Sequence, residues 1–205
     1  MPKGSEQLTN SRKEEIIDVC EKLYQTMSFK EITIKEIGKV TSFTRTSIYN
    51  YFQTKEEIFI AFMKREYEKW ISELKSIFND NDVMAKGDFA KAVAHSLEKR
   101  KNLLKLLAMN LFDMEENCRM ERLIELKESY GNAIKVIQKC LDKFFSMTKE
   151  EIDEFVFAFL PFMYGIYPYT TITEKQKDAM EEAGVPFRYL TIYQITEETI
   201  NRLLD

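Results

Sequence analysis

Histidine, cysteine, glycine and proline are all scarce in this chain of 205 residues. The one histidine, His95, has Ala92 and Lys99 at its helical neighbour positions, so no Glu-x-x-His or His-x-x-x-His metal pair exists. The sequence also contains no glycine-rich phosphate loop and no Cys-x-x-Cys pair. These absences argue against an enzyme, and we expect no metal site and no cofactor.

Long apolar runs are missing as well. The longest, Phe155–Tyr164, is interrupted by Pro161 and is far shorter than the roughly 20 residues that a membrane span needs. The first ten residues contain no apolar signal core. The three cysteines, Cys20, Cys118 and Cys140, are odd in number and widely separated, which suits a reducing compartment without disulfides. We therefore expect a cytoplasmic protein with no membrane partner.

The chain is instead patterned for helices. Only six Gly and four Pro accompany an aromatic content of 13%, which favours long helices around a heavy core over a loop-rich β fold. Apolar residues recur every three or four positions over most of the chain, as on the inward face of an amphipathic helix. The longest such patterns begin at Thr54 and near Met120. The sequence predicts an all-α fold.

Six helices are predicted to begin at a capping box, in which a Ser or Thr and the Glu or Gln three residues later satisfy each other's backbone N–H groups. The boxes start at Ser11, Thr33, Thr54, Thr148, Thr173 and Thr191. One helix is expected over Leu103–Phe112. The helix after Thr148 is apolar nearly all round, so we expect it to be covered on both sides and kinked at Pro161. Residues 168–191 allow two interpretations, because Phe187–Ile195 also alternates weakly like a strand.

A helix-turn-helix pattern occupies Thr33–Phe52. Its first helix turns Ile34, Ile37 and Val40 inward, and Thr41-Ser42 form the turn. After the turn, Phe43 is expected in the core, and a second helix of about two turns buries Ile48 and Phe52.

The outer face of this second helix is rich in hydrogen-bonding side chains and contains no acid. It carries Arg45, Thr46, Ser47, Tyr49 and Asn50. Such a face suits a DNA major groove, where phosphates repel carboxylates and base edges offer donors and acceptors. The charge distribution permits this, since residues 1–55 hold nine Lys or Arg against seven Asp or Glu, although the whole chain is at −4. The alternative interpretation is an ordinary solvated helix face.

Residues 35–58, KEIGKVTSFTRTSIYNYFQTKEEI, resemble the DNA-binding signature of TetR-type (TetR/AcrR) bacterial transcriptional regulators. In that family the helix-turn-helix ends in a Leu-Tyr-x-x-Phe-like run followed by a Lys at the start of the fourth helix. Here the run is Ile48–Phe52 and the lysine is Lys55. The family usually has Gly where this chain has Ser28 and Ser42. Because non-Gly residues rarely adopt φ > 0, we expect a slightly strained or differently shaped turn at Ser42.

The resemblance implies DNA contacts by ten residues. Thr33, Tyr49 and Lys55 are expected at phosphates; Arg45, Thr46, Ser47 and Asn50 at base edges; Lys35 and Tyr51 at the margins; and Thr44 at the cap of the recognition helix and the DNA backbone. Arg45 is the expected guanine reader, because its guanidinium can bond O6 and N7 together. Lys55 is an unfavourable cation at a helix N-terminus, and a nearby phosphate would remove that conflict.

A pocket for a small apolar or amphipathic effector is expected in the remaining helices. Its candidate lining is aromatic and Met-rich, with His95 as a polar anchor: Trp70, His95, Met109, Phe112, Tyr130, Phe159, Met163, Tyr164 and Tyr167. The same residue types also build an ordinary helical core.

The sequence therefore predicts a three-helix helix-turn-helix DNA-binding domain at residues 1–53 and a helical effector-binding and dimerisation bundle at residues 54–205. The expected function is that of a homodimeric, DNA-binding transcriptional regulator, a repressor released from a palindromic operator on double-stranded DNA by its effector. Two alternatives stay open: a protein-interaction module that uses the N-terminal domain for a protein partner, and a cysteine-based redox-sensing regulator.

Overall fold

The structure, a computed structural model, describes residues 3–205 and contains eleven helices and no strand within them. The helices are α1 Lys3–Tyr24, α2 Ile34–Gly38, α3 Arg45–Ile48, α4 Lys55–Asp80, α5 Lys86–Glu98, α6 Lys101–Met109, α7 Leu111–Glu116, α8 Met120–Phe144, α9 Lys149–Thr170, α10 Glu174–Glu182 and α11 Ile192–Leu204. The predicted all-α fold is confirmed. Met1 and Pro2, the first residues of the segment in which no signal core was found, lie outside the described residues.

Local capping chemistry explains five of the eleven described helix starts. Thr148, Thr173 and Thr191 each form both hydrogen bonds of the predicted capping box. The hydroxyls of Thr33 and Thr54 accept the backbone N–H three residues later, each at 3.2 Å. Five of the six predicted starts therefore carry a side-chain cap.

The predicted start at Ser11 is wrong. α1 begins at Lys3, and Ser11 lies exposed within it. The residues just before Ser11 include Glu6, Gln7 and Leu8, which are good helix formers, so the helix continues backwards past the local capping signal.

Two further predictions about helix bounds are corrected. The expected helix over Leu103–Phe112 is broken at Asn110, whose backbone (φ −145°, ψ 8°) is not helical, so α6 and α7 are separate. The strand interpretation of Phe187–Ile195 is wrong, since α11 begins at Ile192 and the residues just before it are irregular.

The described residues form two compact units. The first consists of the described part of Met1–Arg65 together with Asn110–Glu128, and the second consists of Glu66–Met109 together with Ser129–Asp205. α4 and α8 therefore contribute residues to both units. A functional division at residue 53 stays a prediction.

The first unit has an aromatic and aliphatic core built by α1 to α4. The ring of Tyr24 meets the ring of Phe59 edge-on, with 5.2 Å between centroids. The ring of Phe29 lies 4.7 Å from the ring of Phe59. The buried aliphatic residues around them include Ile16, Ile32, Ile37, Ile48 and Ile58. The guanidinium of Arg65 binds Glu21 at 2.6 Å and Asp18 at 2.5 Å, which ties α4 to α1.

The second unit packs α6 against α9 and packs α11 against both α5 and α9. Trp70 is fully buried in its core and donates its indole N–H to the buried hydroxyl of Ser96 at 2.9 Å. α9 runs through Pro161 and Pro168 to Thr170. One side of α9 is not covered within this unit, since Phe157 is 76% exposed.

Within the described part of the chain, no single helix is long and apolar enough to cross a bilayer, and only α9 and α10 taken together, bent by 88°, match the length and composition of a span.

Candidate DNA-binding site

The candidate site is built on α2, the turn that follows it, and α3. α3 is one turn long, shorter than the two turns predicted. The chain continues beyond it in tight turns, in which the Tyr51 and Phe52 N–H groups donate to the Ile48 carbonyl at 2.9 and 3.0 Å. Ile48 and Phe52 are both buried, as predicted, and they anchor this segment in the core.

Glu15, on α1, holds the turn at Ser42. Its carboxylate accepts the Ser42 backbone N–H at 2.5 Å and the Ser42 hydroxyl at 2.9 Å. No non-glycine residue among those described has a positive φ, so the strain expected at Ser42 is absent. At Ser28, the second departure from the family pattern, the Glu31 carboxylate accepts both the backbone N–H and the hydroxyl at 2.7 Å. Hydrogen bonding by nearby carboxylates takes the place of glycine at both positions.

Gly38 allows α2 and α3 to approach closely. A Cβ atom at this position would lie 3.1 Å from the Arg45 Cβ and 3.2 Å from the Arg45 Cα, closer than an ordinary carbon–carbon contact. Gly38 thus determines where the backbone of Arg45 lies. The sequence prediction missed this role, although a lone glycine at the end of a short amphipathic helix was its one available signal.

The acid-free face of α3 and the residues after it is largely open to solvent. Arg45, Thr46, Tyr49 and Asn50 are exposed, and Ser47 is half-buried. The Arg45 Nη2 donates to the Tyr49 hydroxyl at 3.2 Å, with the guanidinium carbon 5.8 Å from the Tyr49 ring centroid. The two longest side chains of this face therefore lie together.

The other predicted contacts surround this face. Thr33, Lys35 and Thr44 are exposed, and Tyr51 is half-buried. Thr44 occupies the N-cap position of α3, but its hydroxyl lies 3.1 Å from that of Ser47 and caps no backbone N–H, so the predicted cap is not formed.

Two core predictions at the turn are wrong: Val40 is exposed, and Phe43 is only half-buried. The Phe43 ring lies 6.4 Å from the Tyr51 ring and 5.6 Å from the Arg12 guanidinium. Arg12 in turn donates to the Tyr51 hydroxyl at 3.4 Å.

Lys55 is placed differently from the other candidates. Its ammonium donates to the Phe29 carbonyl at 2.7 Å and lies 4.1 Å from the Phe29 ring centroid. This carbonyl and ring offset the unfavourable position of a cation at the start of α4 without a phosphate. A phosphate contact by Lys55 stays a prediction.

A corner between α7 and α8 holds the segment that follows α3. Arg119 binds the buried carboxylate of Glu57 through two nitrogens, at 2.5 and 2.9 Å, and the same carboxylate accepts the Gln53 backbone N–H at 2.8 Å. Burial alone would raise the pKa of Glu57, but the hydrogen bonds from Arg119 and Gln53 outweigh it and hold the pKa below its usual value. Glu57 is therefore a charged, fully paired carboxylate.

Two further contacts complete this corner. The Arg122 guanidinium donates to the Tyr51 carbonyl at 3.4 Å and lies 5.7 Å from the Phe52 ring centroid. The Thr54 hydroxyl donates to the Asn117 carbonyl at 3.1 Å. Residues 117–122 therefore fix the backbone of residues 51–54. No local sequence signal could have shown this, because the partners are more than 60 positions apart.

The nine residues predicted to line an effector pocket do not share one environment. Trp70, Phe159 and Met163 are buried; Tyr130, Tyr164 and Tyr167 are half-buried; His95, Met109 and Phe112 are exposed. Phe112 belongs to the first unit and the other eight to the second.

Three open clefts in the second unit have other linings. A cleft of about 510 Å³ is lined by residues including Lys86, Phe155 and Arg202, and one of about 480 Å³ lies between α4 and α8. Of the nine predicted residues, only His95 lines any of the three, a cleft of about 400 Å³ beside α4 and α5. The His95 ring itself lies 4.5 Å from that of Tyr193. These clefts therefore do not support the predicted set of pocket residues.

The cysteine thiols are held in their neutral form. Burial raises the pKa of Cys20, and it raises that of Cys140 to about 11. Burial, followed by the charge of Glu57, also raises the pKa of the half-buried Cys118. Because the thiolate is the reactive species, this environment does not favour a redox sensor.

Two family models match the chain. Residues 16–62 match the model described as bacterial regulatory proteins, tetR family, and residues 64–204 match the tetracyclin repressor-like C-terminal domain. Both describe regulatory proteins, and neither describes an enzyme. A comparison with curated proteins found no match.

Solved structures share the fold. The fatty acid degradation regulator FadR from Bacillus halodurans matches with a TM-score of 0.62 and 12% identity, over 94% of each chain. A transcriptional regulator of the TetR/AcrR family from Thermobifida fusca matches with a TM-score of 0.57 and 16% identity, over 95% of this chain and 96% of that chain. At these identities the likeness concerns the fold alone.

Proposed function

The chain belongs to the TetR family of DNA-binding transcriptional regulators, and we propose that it is a repressor that a small effector releases from a palindromic operator. The supporting observation is the exposed, acid-free face of α3, which is held in place by Gly38, Glu15 and the buried Ile48. The proposed location is the cytoplasm, where the DNA is.

On this proposal, Arg45, Thr46, Ser47 and Asn50 face base edges. Other residues are proposed to contact the DNA backbone or to lie at the edge of the DNA interface: Thr33, Lys35, Thr44, Tyr49, Tyr51 and Lys55. Arg45 is the residue most suited to reading a guanine, since its guanidinium presents two parallel donors. Because Lys55 is bonded to the Phe29 carbonyl, its contact with a phosphate requires its ammonium to turn or to share donors.

The protein would act as a homodimer, with one recognition helix in each half-site. The exposed side of α9 supports a second copy there, because it presents Phe157, Ala158 and Pro161 to solvent on a helix whose opposite side is buried. We expect Phe157→Asp to give monomers that bind DNA poorly. Phe112→Asp is the matched control, since both phenylalanines are 76% exposed. A Phe157→Asp variant that still sediments as a dimer would place the interface elsewhere.

Effector release would be a population shift. An effector that binds better to the conformation with wrongly spaced recognition helices weakens DNA binding by its differential affinity for the two states. A small apolar or amphipathic effector is the class that the Met-rich and aromatic second unit suits. In the repressor proposal, DNA affinity falls on effector binding and the effector in turn binds DNA-free protein more tightly.

Selection of bound duplexes from a random pool tests the proposal most directly. A palindromic site with half-sites about one helical turn apart, or a multiple of it, is expected. Affinity for that site should fall linearly with salt concentration on logarithmic axes, because bound phosphates release counterions. Affinity that does not change with salt would favour the alternative of a protein-interaction module.

Arg45→Ala separates base reading from phosphate binding. It should weaken binding to the selected site by about 1–3 kcal/mol and relax preference at one base position. Lys101→Ala, which removes an exposed cation of the second unit, is the control and should change neither quantity. Uniform weakening on all sequences would make Arg45 a phosphate contact.

A further inference from the structure

Residues 171–191, which we call the arm, connect α9 to α11 and contain α10. None of the residues of α10 is buried. The helix leaves α9 at an angle of 88°, so it does not continue the packed helix before it. The chain thus builds a nine-residue helix that places no side chain in the core of the second unit.

α10 is nevertheless capped at both ends. Thr173 and Gln176 form a complete capping box at its start. At its end Gly184 has φ 63°, with its N–H bonded to the Glu181 carbonyl at 3.1 Å and the Val185 N–H bonded to the Met180 carbonyl at 2.9 Å. These two bonds form a Schellman motif. Isolated helices of fewer than about 12 residues are marginal in water, so this one needs a packing surface as well as caps.

Aromatic side chains lie at the base of the arm. The Phe187 ring stacks on Tyr169 at 6.2 Å and meets Tyr189 at 5.1 Å. Tyr169 is 60% exposed, Tyr189 52% and Val185 48%. Large apolar groups that are ordered against one another and still exposed mark an interaction surface.

This aromatic cluster is continuous with the open side of α9. The exposed positions of α9 recur at helical spacing through Phe157, Ala158, Pro161 and Pro168, and then reach Tyr169. A Cβ at Gly165, on the same side, would meet nothing within 4 Å, so the helix is open there as well. The exposed side of α9 and the aromatic cluster at the base of the arm therefore form one apolar surface.

We propose that the arm packs on a second copy of this chain and extends the homodimer interface beyond α9. A two-fold interface uses the same patch on both copies, so a surface that is continuous with the dimer face of α9 is presented twice to the same partner. This inference rests on the homodimer proposed above. It assigns to residues 171–191 the role of stabilising the dimer, separate from any contact with DNA or effector.

Sedimentation equilibrium of the full chain measures this role. The variant Val185→Ser/Phe187→Ser/Tyr189→Ser removes three apolar side chains of the arm, none of them buried. We expect the dimer to dissociate about tenfold or more readily. The matched control, Lys175→Ala/Glu182→Ala, changes two exposed polar residues of α10 and should leave dimerisation unchanged. The emission of the single tryptophan, Trp70, reports whether each variant keeps the core of its second unit.

Hydrogen exchange gives an independent readout. The α10 amides should exchange slowly at concentrations where the dimer forms and fast after dilution or in Phe157→Asp. Equal α10 exchange in dimer and monomer, with the triple variant dimerising normally, would overturn the arm proposal and leave the homodimer intact. A wild-type chain that sediments as a monomer at all concentrations would overturn both.

Discussion

Gly38→Ala is the substitution for which the structure gives the most direct expectation. In a helix interior an alanine is favoured over glycine by about 0.8–1.0 kcal/mol. Gly38 is the last residue of α2, and its new methyl would lie 3.1 and 3.2 Å from the Cβ and Cα of Arg45. Carbon atoms prefer about 3.5–4.0 Å, so α3 must move by several tenths of an ångström. The buried Ile48 resists that movement, and overpacking of this kind costs about 1–3 kcal/mol. The net expectation is a loss of up to about 2 kcal/mol.

Gly131→Ala is the matched control. Gly131 lies inside α8, and a Cβ there would meet nothing within 4 Å. This variant should gain about 0.5–1 kcal/mol. Thermal unfolding distinguishes the two, since 1 kcal/mol moves the midpoint by about 2–4 °C in a chain of this size. Binding to the selected operator should weaken in Gly38→Ala only, because the backbone of Arg45 shifts.

Equal increases of the unfolding midpoint in both alanine variants would contradict this expectation. The close approach of α2 and α3 would then not constrain Arg45. If instead Gly38→Ala loses stability but binds the operator as the wild type does, the position of α3 matters for folding and not for DNA recognition.

Three other variants test two parts of the structure. Arg119→Met leaves the buried Glu57 carboxylate without its cationic partner, with the Gln53 backbone N–H still bound. Because Arg119 itself is 40% exposed, we expect a loss of about 2–3 kcal/mol in denaturant unfolding, below the range for fully buried pairs. Adding Glu57→Gln to this variant should restore part of the loss, and a double variant no more stable than the single one would contradict the pairing. Since the pKa of Glu57 is lowered on folding, its contribution is present above the unfolded pKa of about 4.3 and is lost as pH falls through the folded pKa. The deficit of Arg119→Met, measured by unfolding at a series of pH values, should therefore shrink as the pH falls and Glu57 becomes protonated. Ser96→Ala removes the acceptor of the buried Trp70 N–H and should cost about 1–3 kcal/mol by tryptophan-detected unfolding.

Helix starts could be predicted wherever the signal was local. The boxes at Thr148, Thr173 and Thr191 need only residues three positions apart, and each is formed. The break at Asn110 could not be predicted in this way, because its side chain accepts the hydroxyl of Tyr24, a residue 86 positions earlier. The false start at Ser11 shows the converse: the capping-box residues are present in the sequence, but α1 continues past them to Lys3.

The candidate site likewise has features that the sequence predicts and features that it does not. The composition of the outer face of α3 was readable, because helical spacing decides which side chains share a face. The contacts that position this face come from Glu15, Gly38 and Arg119, and they depend on the tertiary fold. Pocket residues were the least predictable, because a core and a ligand pocket use the same aromatic and Met side chains.

The contact between Arg45 and Tyr49 makes these two residues a single thermodynamic unit. In the free protein the Arg45 guanidinium already rests against the tyrosine, so less rotamer freedom is lost when it meets a base. Donating to the tyrosine oxygen also polarises the phenol, which makes its own O–H a stronger donor to an anion. The losses of operator affinity in Arg45→Ala and Tyr49→Phe should consequently not add, and the difference between the double variant and the sum of the singles measures how strongly base reading and backbone binding depend on each other.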